Sequence, residues 1–387
     1  MIEFLTPVTK QIVAHREVLP DGVIGKSIDM YQDAEELPDL TGVTFAILGV
    51  AERRNDVDYI GESINFEAIR KAFYQLYPGN WGTKIVDLGD IQPGAAVTDT
   101  YFAVKSVVAQ LVGLKIIPII LGGSQDLAYA QYRSYDDFGR MVNLVNVDQR
   151  FDLGNAEKPI TNKSYVGKII VDQPYNLFNY SVLGYQSYLN PPAEIALMDK
   201  LHFDAIRLGQ LIGDIKEIEP MMRDADLVTM DVTAIKGPEL SYKYKDSPNG
   251  FDSREVCAIA RYAGISNKVT SFGLYELKDF DEASNGASLI GQILWYFIEG
   301  VNFRFDEGDL DDQRMYTLYK VPINDEVLLF RKSNRSGRWW IELPIISSVN
   351  NKLKTQTLLP CTYGEYLGAT NQEIPERWFK ARQKLEV

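Results

Sequence analysis

The feature that most constrains this chain is a series of short, nearly pure apolar runs, each stopped by Gly, Asp or Pro. They fall at residues 43–50 (VTFAILGV), 84–88, 115–121, 142–148, 167–171, 204–208, 226–231 and 269–276. A strand with one wet face alternates apolar and polar residues; a strand covered on both faces does not, and these runs do not alternate. Between most of them lie amphipathic helical patterns, at 62–76, 98–113, 191–202, 251–264 and 285–300. In the fourth of these, Val256, Ile259, Ala260 and Ala263 recur at helical spacing and Asp252 or Ser253 is placed to cap the start. The alternation predicts an α/β protein, a three-layer α/β/α sandwich around a mostly parallel sheet of about eight strands. Sheets of this kind bind ligands at the carboxyl ends of their strands.

After about residue 310 the pattern changes. MYTLYKVPINDEVLLFRKS reads as two strands around a turn at Asn324-Asp325, RWWIELPII as a third, and PERWFKARQKLEV as a short basic helix started by Pro375. Trp339 and Trp340 alternate on a strand, so one faces inward and the other covers the body or a partner. The expected division is an N-terminal extension over 1–42, an α/β domain over 43–305, and a small β-rich C-terminal appendage over 306–387 that ends in the short helix. Residues 310–387 carry 12 Lys and Arg against 9 Asp and Glu, while the whole chain has a formal charge of −13. The sign difference lets the appendage dock on the body or on a protein partner.

That net charge argues against a nucleic-acid surface, which needs clustered Lys and Arg. The longest greasy run, VVAQLVGLKIIPIILGG, is interrupted by Gln110, Lys115 and Pro118, so no membrane span is expected. The N-terminal residues lack a basic start followed by an apolar core, and Cys257 and Cys361 give no disulfide framework. A cytoplasmic protein is the expectation. Only two histidines occur, His15 and His202.

Acidic residues gather at the predicted strand ends. VNVDQRFDLG (145–154) places Asp148 and Asp152 four apart with Arg150 between them, and TMDVTAIKGPE (229–239) adds Asp231. Carboxylates at a strand end suit a hard divalent cation; an arginine among them is a cation of another kind. With LGGSQDLA (121–128), LGVAERR (48–54), PNGFDSRE (248–255) and YELKDFD (275–281), these segments stand in the order found in the arginase/agmatinase/formimidoylglutamase family, the ureohydrolases. The chain resembles that family from about residue 43 to 300.

The resemblance implies an arginase-like fold and a site where two histidines and four aspartates hold a pair of Mn²⁺ ions, roughly 3.5 Å apart, that acidify a shared water. Carried over position by position, Asp148, Asp152 and Asp231 match family aspartates. Gln125 and Arg150 stand in place of the histidines, Thr233 in place of the last aspartate, and Tyr165 falls near an auxiliary histidine. Glu276 matches an acid that helps hold the substrate's cationic end. Arg150 is then expected to replace the second cation by ion pairing with Asp148, Asp231 or both.

The functional expectation is a ureohydrolase-like protein that has lost two-metal catalysis, binds no cofactor and acts in binding or as a structural protein. The alternative is a metal-dependent C–N hydrolase of a guanidino or formimidoyl compound, using one divalent metal (Mn, Mg or Ca). A second alternative is a small-molecule sensor that uses the old cleft. The resemblance also raises a homo-oligomer.

Overall fold

Eight parallel strands line up in one sheet, and the residues that drive them together alternate between its two faces. The computed structural model describes residues 1–59, 61, 64–241, 247–280, 284–308, 312–324, 326–344 and 357–386. The strands are β1 (Val43–Val50), β2 (Lys84–Ile91), β3 (Ile117–Gly122), β4 (Val142–Val147), β5 (Leu177–Tyr185), β6 (Asp204–Arg207), β7 (Leu227–Asp231) and β8 (Ser271–Tyr275). Their spatial order is β2-β1-β3-β8-β7-β4-β5-β6. Two short N-terminal strands, Leu5–Thr6 antiparallel and Asp29–Met30 parallel, extend the edge at β2. Within β1, Phe45 and Ile47 enter one hydrophobic cluster while Ala46, Leu48 and Val50 enter the other. Both faces are therefore covered, as the unbroken apolar runs require.

One face carries helices α1 (Glu67–Tyr74), α6 (Ser253–Ile265) and α7 (Asn285–Asn302); the other carries α2 (Val97–Gly113), α3 (Leu127–Arg133), α4 (Tyr165–Val171) and α5 (Pro192–Lys200). Asp252 caps α6, accepting from the Glu255 N–H at 2.9 Å. Residues 62 and 63 of the expected helix 62–76 lie outside the described residues.

One strand expectation fails. Residues 167–171 (GKIIV) belong to α4, and the strand of this region is LFNYSVLGY, 177–185. A short apolar run cannot by itself distinguish strand from helix. The real strand was hidden by Asn179 and Ser181, which are buried because both donate to the Asp204 carboxylate at the start of β6.

The C-terminal segment forms a separate four-stranded antiparallel sheet: β9 (Tyr316–Ile323), β10 (Glu326–Ser333), β11 (Trp339–Glu342) and β12 (Leu358–Cys361). Helices α8 (Tyr363–Thr370) and α9 (Glu376–Glu386) follow it. Asp325, of the expected turn, lies outside the described residues. This sheet has its own apolar core, including Phe330, Trp339 and Trp378. Its other tryptophan, Trp340, is buried against the body, where the Arg223 guanidinium lies 4.4 Å from its ring centroid. The Arg223 Nη2 also donates to the Cys361 carbonyl at 3.1 Å. Basic α9 turns to the body too, with Arg377 3.8 Å from Asp204 and the Lys380 ammonium donating to the Phe203 carbonyl at 3.3 Å. The positive charge of the appendage is thus engaged on its own chain, at the amino-terminal edge of the sheet.

Replacing Trp340 by Ala is expected to cost about 3–5 kcal/mol, read as a lower urea midpoint. An unchanged midpoint would mean that the appendage does not bear on the body.

Candidate functional site

The four central strands β3, β8, β7 and β4 end side by side, and each delivers a polar residue to one cleft. Gln125 follows β3, Glu276 follows β8, Asp231 closes β7, and Asp148 follows β4. The cleft encloses a cavity of about 320 Å³ lined by, among others, Arg53, Arg150, Asp152, Asp231, Thr233 and Glu276. The turn that carries Gln125 needs glycine: a Cβ on Gly123 would lie 2.3 Å from the Glu52 carbonyl oxygen. Asp152 and Glu276 both hold left-handed backbone, with φ of +52° and +58°. The neighbours of Asp152 pin it there. The Phe151 N–H donates to Asn190 Oδ1 at 2.8 Å, and the Phe151 carbonyl accepts from the Tyr180 hydroxyl at 3.1 Å.

The three aspartates come together as expected, but buried away from water. Asp148 is fully buried, and Asp152 and Asp231 nearly so. Burial drives all three carboxyls well above the usual range, and mutual repulsion adds to it: Asp152 acts on Asp148, Asp231 on Asp152 and Asp148 on Asp231. The hydrogen-bond support is neutral. Asp148 accepts from the Arg150 backbone N–H at 2.8 Å and from Asn146 Nδ2 at 3.0 Å. Asp231 accepts from the Thr233 N–H at 2.7 Å.

Arg150 does not do what the sequence suggested. Its Nη1 donates to the Leu189 carbonyl at 2.7 Å, and it forms no ion pair among the described residues. The 3₁₀ turn at Ser187–Leu189 presents that carbonyl beside the cleft and draws the guanidinium aside. Its charge still eases ionisation of Asp152 and Asp231 from a distance.

Gln125, Thr233 and Tyr165 sit around the aspartates. Gln125 Nε2 donates to Asn146 Oδ1 at 3.1 Å and to the Tyr165 hydroxyl at 3.2 Å. Thr233 Oγ1 accepts from Gln149 Nε2 at 3.0 Å. Glu276 Oε1 accepts from the Gln125 N–H at 2.9 Å and from Asn162 Nδ2 at 3.1 Å. Burial, with Asp231 and Asp56 nearby, pushes the Glu276 carboxyl up to about 8.

Two residues escaped the sequence reading. Asn146 is the hub of the cleft floor, since it also accepts from Thr229 Oγ1 at 2.8 Å across the β4–β7 pair. Its signal was there: a polar residue inside the apolar run VNLVNV. Asn162 left none, because it lies in a loop far along the chain from Glu276.

A pair of Mn²⁺ ions does not fit these residues. His15 lies in the N-terminal helix Lys10–Val18 and His202 lines a cavity at the far edge of the sheet, so no imidazole reaches the cleft. Among the described residues, no group of three or more His, Cys, Asp or Glu is placed to hold a metal ion. Two buried oxygens in the cleft, Asp152 Oδ2 and Gln125 Oε1, have no hydrogen-bond partner among the described residues.

The chain is thus an α/β sandwich with a polar cleft at the carboxyl ends of its central strands, the place where open sheets of this kind carry ligand sites. The family model described as "Arginase family" matches residues 43–299, and the chain belongs to that family. The formimidoylglutamase of Chromobacterium violaceum is 24% identical over 288 residues, covering 68% of this chain and 90% of that protein. The formimidoylglutamase of Staphylococcus haemolyticus is 22% identical, covering 69% of this chain and 89% of its own. Among solved structures, Trypanosoma cruzi formiminoglutamase with Mn²⁺ superposes with a TM-score of 0.60 at 15% identity, over 70% of this chain and 97% of that one. Formimidoylglutamase from Bacillus subtilis gives 0.59 at 17%, over 70% and 91%. The appendage lies beyond the matched residues. No helix among the described residues is long and apolar enough to cross a membrane.

Two outcomes follow from this geometry. Arg150→Ala should cost about 1 kcal/mol, the worth of one hydrogen bond, rather than the roughly 3–5 kcal/mol of a broken buried ion pair; urea denaturation separates the two. Glu276 should make the fold less stable as pH rises. Its carboxyl keeps a proton in the fold up to about 8 that the unfolded chain gives up from its ordinary 4.5. The unfolded state then binds fewer protons, so stability falls across that window and levels off above it. Melts between pH 5 and 9 should show a shallower decline for Glu276→Gln than for the parent chain.

Proposed function

We propose that this chain uses its arginase-family cleft to bind a small cationic compound of the guanidino or formimidoyl class, without the two-metal hydrolysis that the ligand pattern of the family implies. One observation carries the reading: three buried aspartates share one cleft and, among the described residues, none is ion-paired with Arg150 or any other basic side chain. A planar amidinium is the organic cation that can donate to two carboxyl groups at once. It would supply the charge that Arg150 withholds, and the partnerless Asp152 Oδ2 is a ready acceptor. The cavity of about 320 Å³ is of a size for such a compound. A cleft that binds without turnover serves as a sensor or as a switch for a partner.

A second reading is a C–N hydrolase of formimidoylglutamase type. The names of the curated relatives support it, and they favour it over loss of activity. The site offers it one further observation: Asp152 Oδ2 and Gln125 Oε1, both without hydrogen-bond partners among the described residues, are oxygen acceptors of the kind a hard divalent cation takes. Such a cation would supply a polarised water when bound.

Thermal shift and product release separate the readings, with arginine, agmatine and N-formimidoyl-glutamate tested with and without MnCl₂. The first reading expects a higher melting temperature with at least one compound, no urea, formamide or ammonia, and loss of the shift in Asp152→Asn. Metal-dependent product would establish the second. Neither shift nor product from any compound would overturn both.

A further inference from the structure

A second cavity, of about 300 Å³, lies at the amino-terminal edge of the sheet, on the side away from the carboxylate cleft. Its walls are apolar and include Ile170, Leu177, Phe178 and Phe203. Its charged and titratable side chains, apart from the Tyr175 phenol, are all basic: Lys200, His202 and Lys384. No carboxylate lines it among the described residues. Lys384 comes from α9, so the segment beyond the family match supplies the cation of this cavity.

Lys384 is held with donors to spare. Its Nζ donates to Asn179 Oδ1 and lies 5.5 Å and 5.4 Å from the ring centroids of Phe178 and Phe203. It forms no ion pair among the described residues. The nearby Asp204 is already occupied, by Arg377 at 3.8 Å and by hydrogen bonds from Asn179 and Ser181. An ammonium has three N–H groups, so Asn179 leaves two for another acceptor. Loss of surrounding water pushes the Lys384 ammonium down to about 8, against the opposing pull of Asp204 and Asp224.

We propose that this cavity binds a small carboxylic acid with an apolar body, its carboxylate on Lys384 and its hydrocarbon against the apolar walls. A neutral apolar compound would fill the walls but turn hydrocarbon toward the free N–H groups. Inorganic phosphate would meet the ammonium but leave the walls wet. An apolar carboxylate satisfies both surfaces, and Lys200 in the lining favours the same sign of charge. The site is independent of the carboxylate cleft.

Titration calorimetry on the full chain, with octanoate, 1-octanol and inorganic phosphate as probes, tests this. Octanoate should bind, 1-octanol roughly tenfold or more weaker, as loss of a charged hydrogen bond predicts, and phosphate not measurably. Lys384→Met should weaken octanoate by a similar factor and bring it level with 1-octanol. Tyr175→Asp, at an exposed rim position, puts a carboxylate into the lining and should also weaken octanoate; it serves if the lysine variant does not fold. Absence of octanoate binding overturns the proposal. So does equal binding by 1-octanol, or octanoate affinity unchanged in Lys384→Met. A dimer in sedimentation that octanoate leaves intact, with no octanoate bound, would give the cavity to a second copy and overturn it too.

Discussion

Burying three carboxyl groups where four parallel strands end is the constraint around which the cleft is organised. An ionised carboxylate taken out of water costs several kcal/mol unless a cation meets it. Relatives with this fold are crystallised with Mn²⁺. In this chain the donors to Asp148 and Asp231 among the described residues are two backbone N–H groups and the Asn146 amide. These N–H donors favour the ionised form, and burial with mutual repulsion outweighs them.

The two edges of the sheet differ in character. The carboxyl edge holds the buried carboxyl groups, with cations such as Arg53 and Arg150 also lining its cavity. The amino edge is apolar and basic, because the appendage brings Arg377, Lys380 and Lys384 to it. Asp204 fastens the two parts, since it holds Asn179 of β5 on one side and Arg377 of α9 on the other. Trp340 does the same work in apolar terms, with Arg223 of the body against its ring.

Most of the fold was legible in the sequence because both faces of the sheet are covered, which leaves unbroken apolar runs. Seven of the eight runs are strands at nearly the boundaries expected. The eighth, 167–171, packs as a helix, and the missed strand 177–185 carried buried polar residues whose partner, Asp204, lies far along the chain. The site was legible to the same depth. Residue order put Gln125, Asp148, Asp152, Asp231 and Glu276 in one cleft. The direction of Arg150 was not legible, because it depends on the Leu189 carbonyl, an acceptor that every residue has and no sequence marks. The pairing of Trp340 with the body was open for a similar reason: alternation says which tryptophan faces out, not what it meets.

The central claim is that these carboxyl groups are arranged for protons and a cationic ligand, not for a metal pair. Elemental mass spectrometry tests it most directly, on full-length protein purified without chelator, dialysed against Mn²⁺ and then freed of unbound ion. The account predicts well under two Mn per chain, unchanged in Asp231→Asn. Two Mn per chain, lost in Asp231→Asn, would contradict it and restore the two-metal centre.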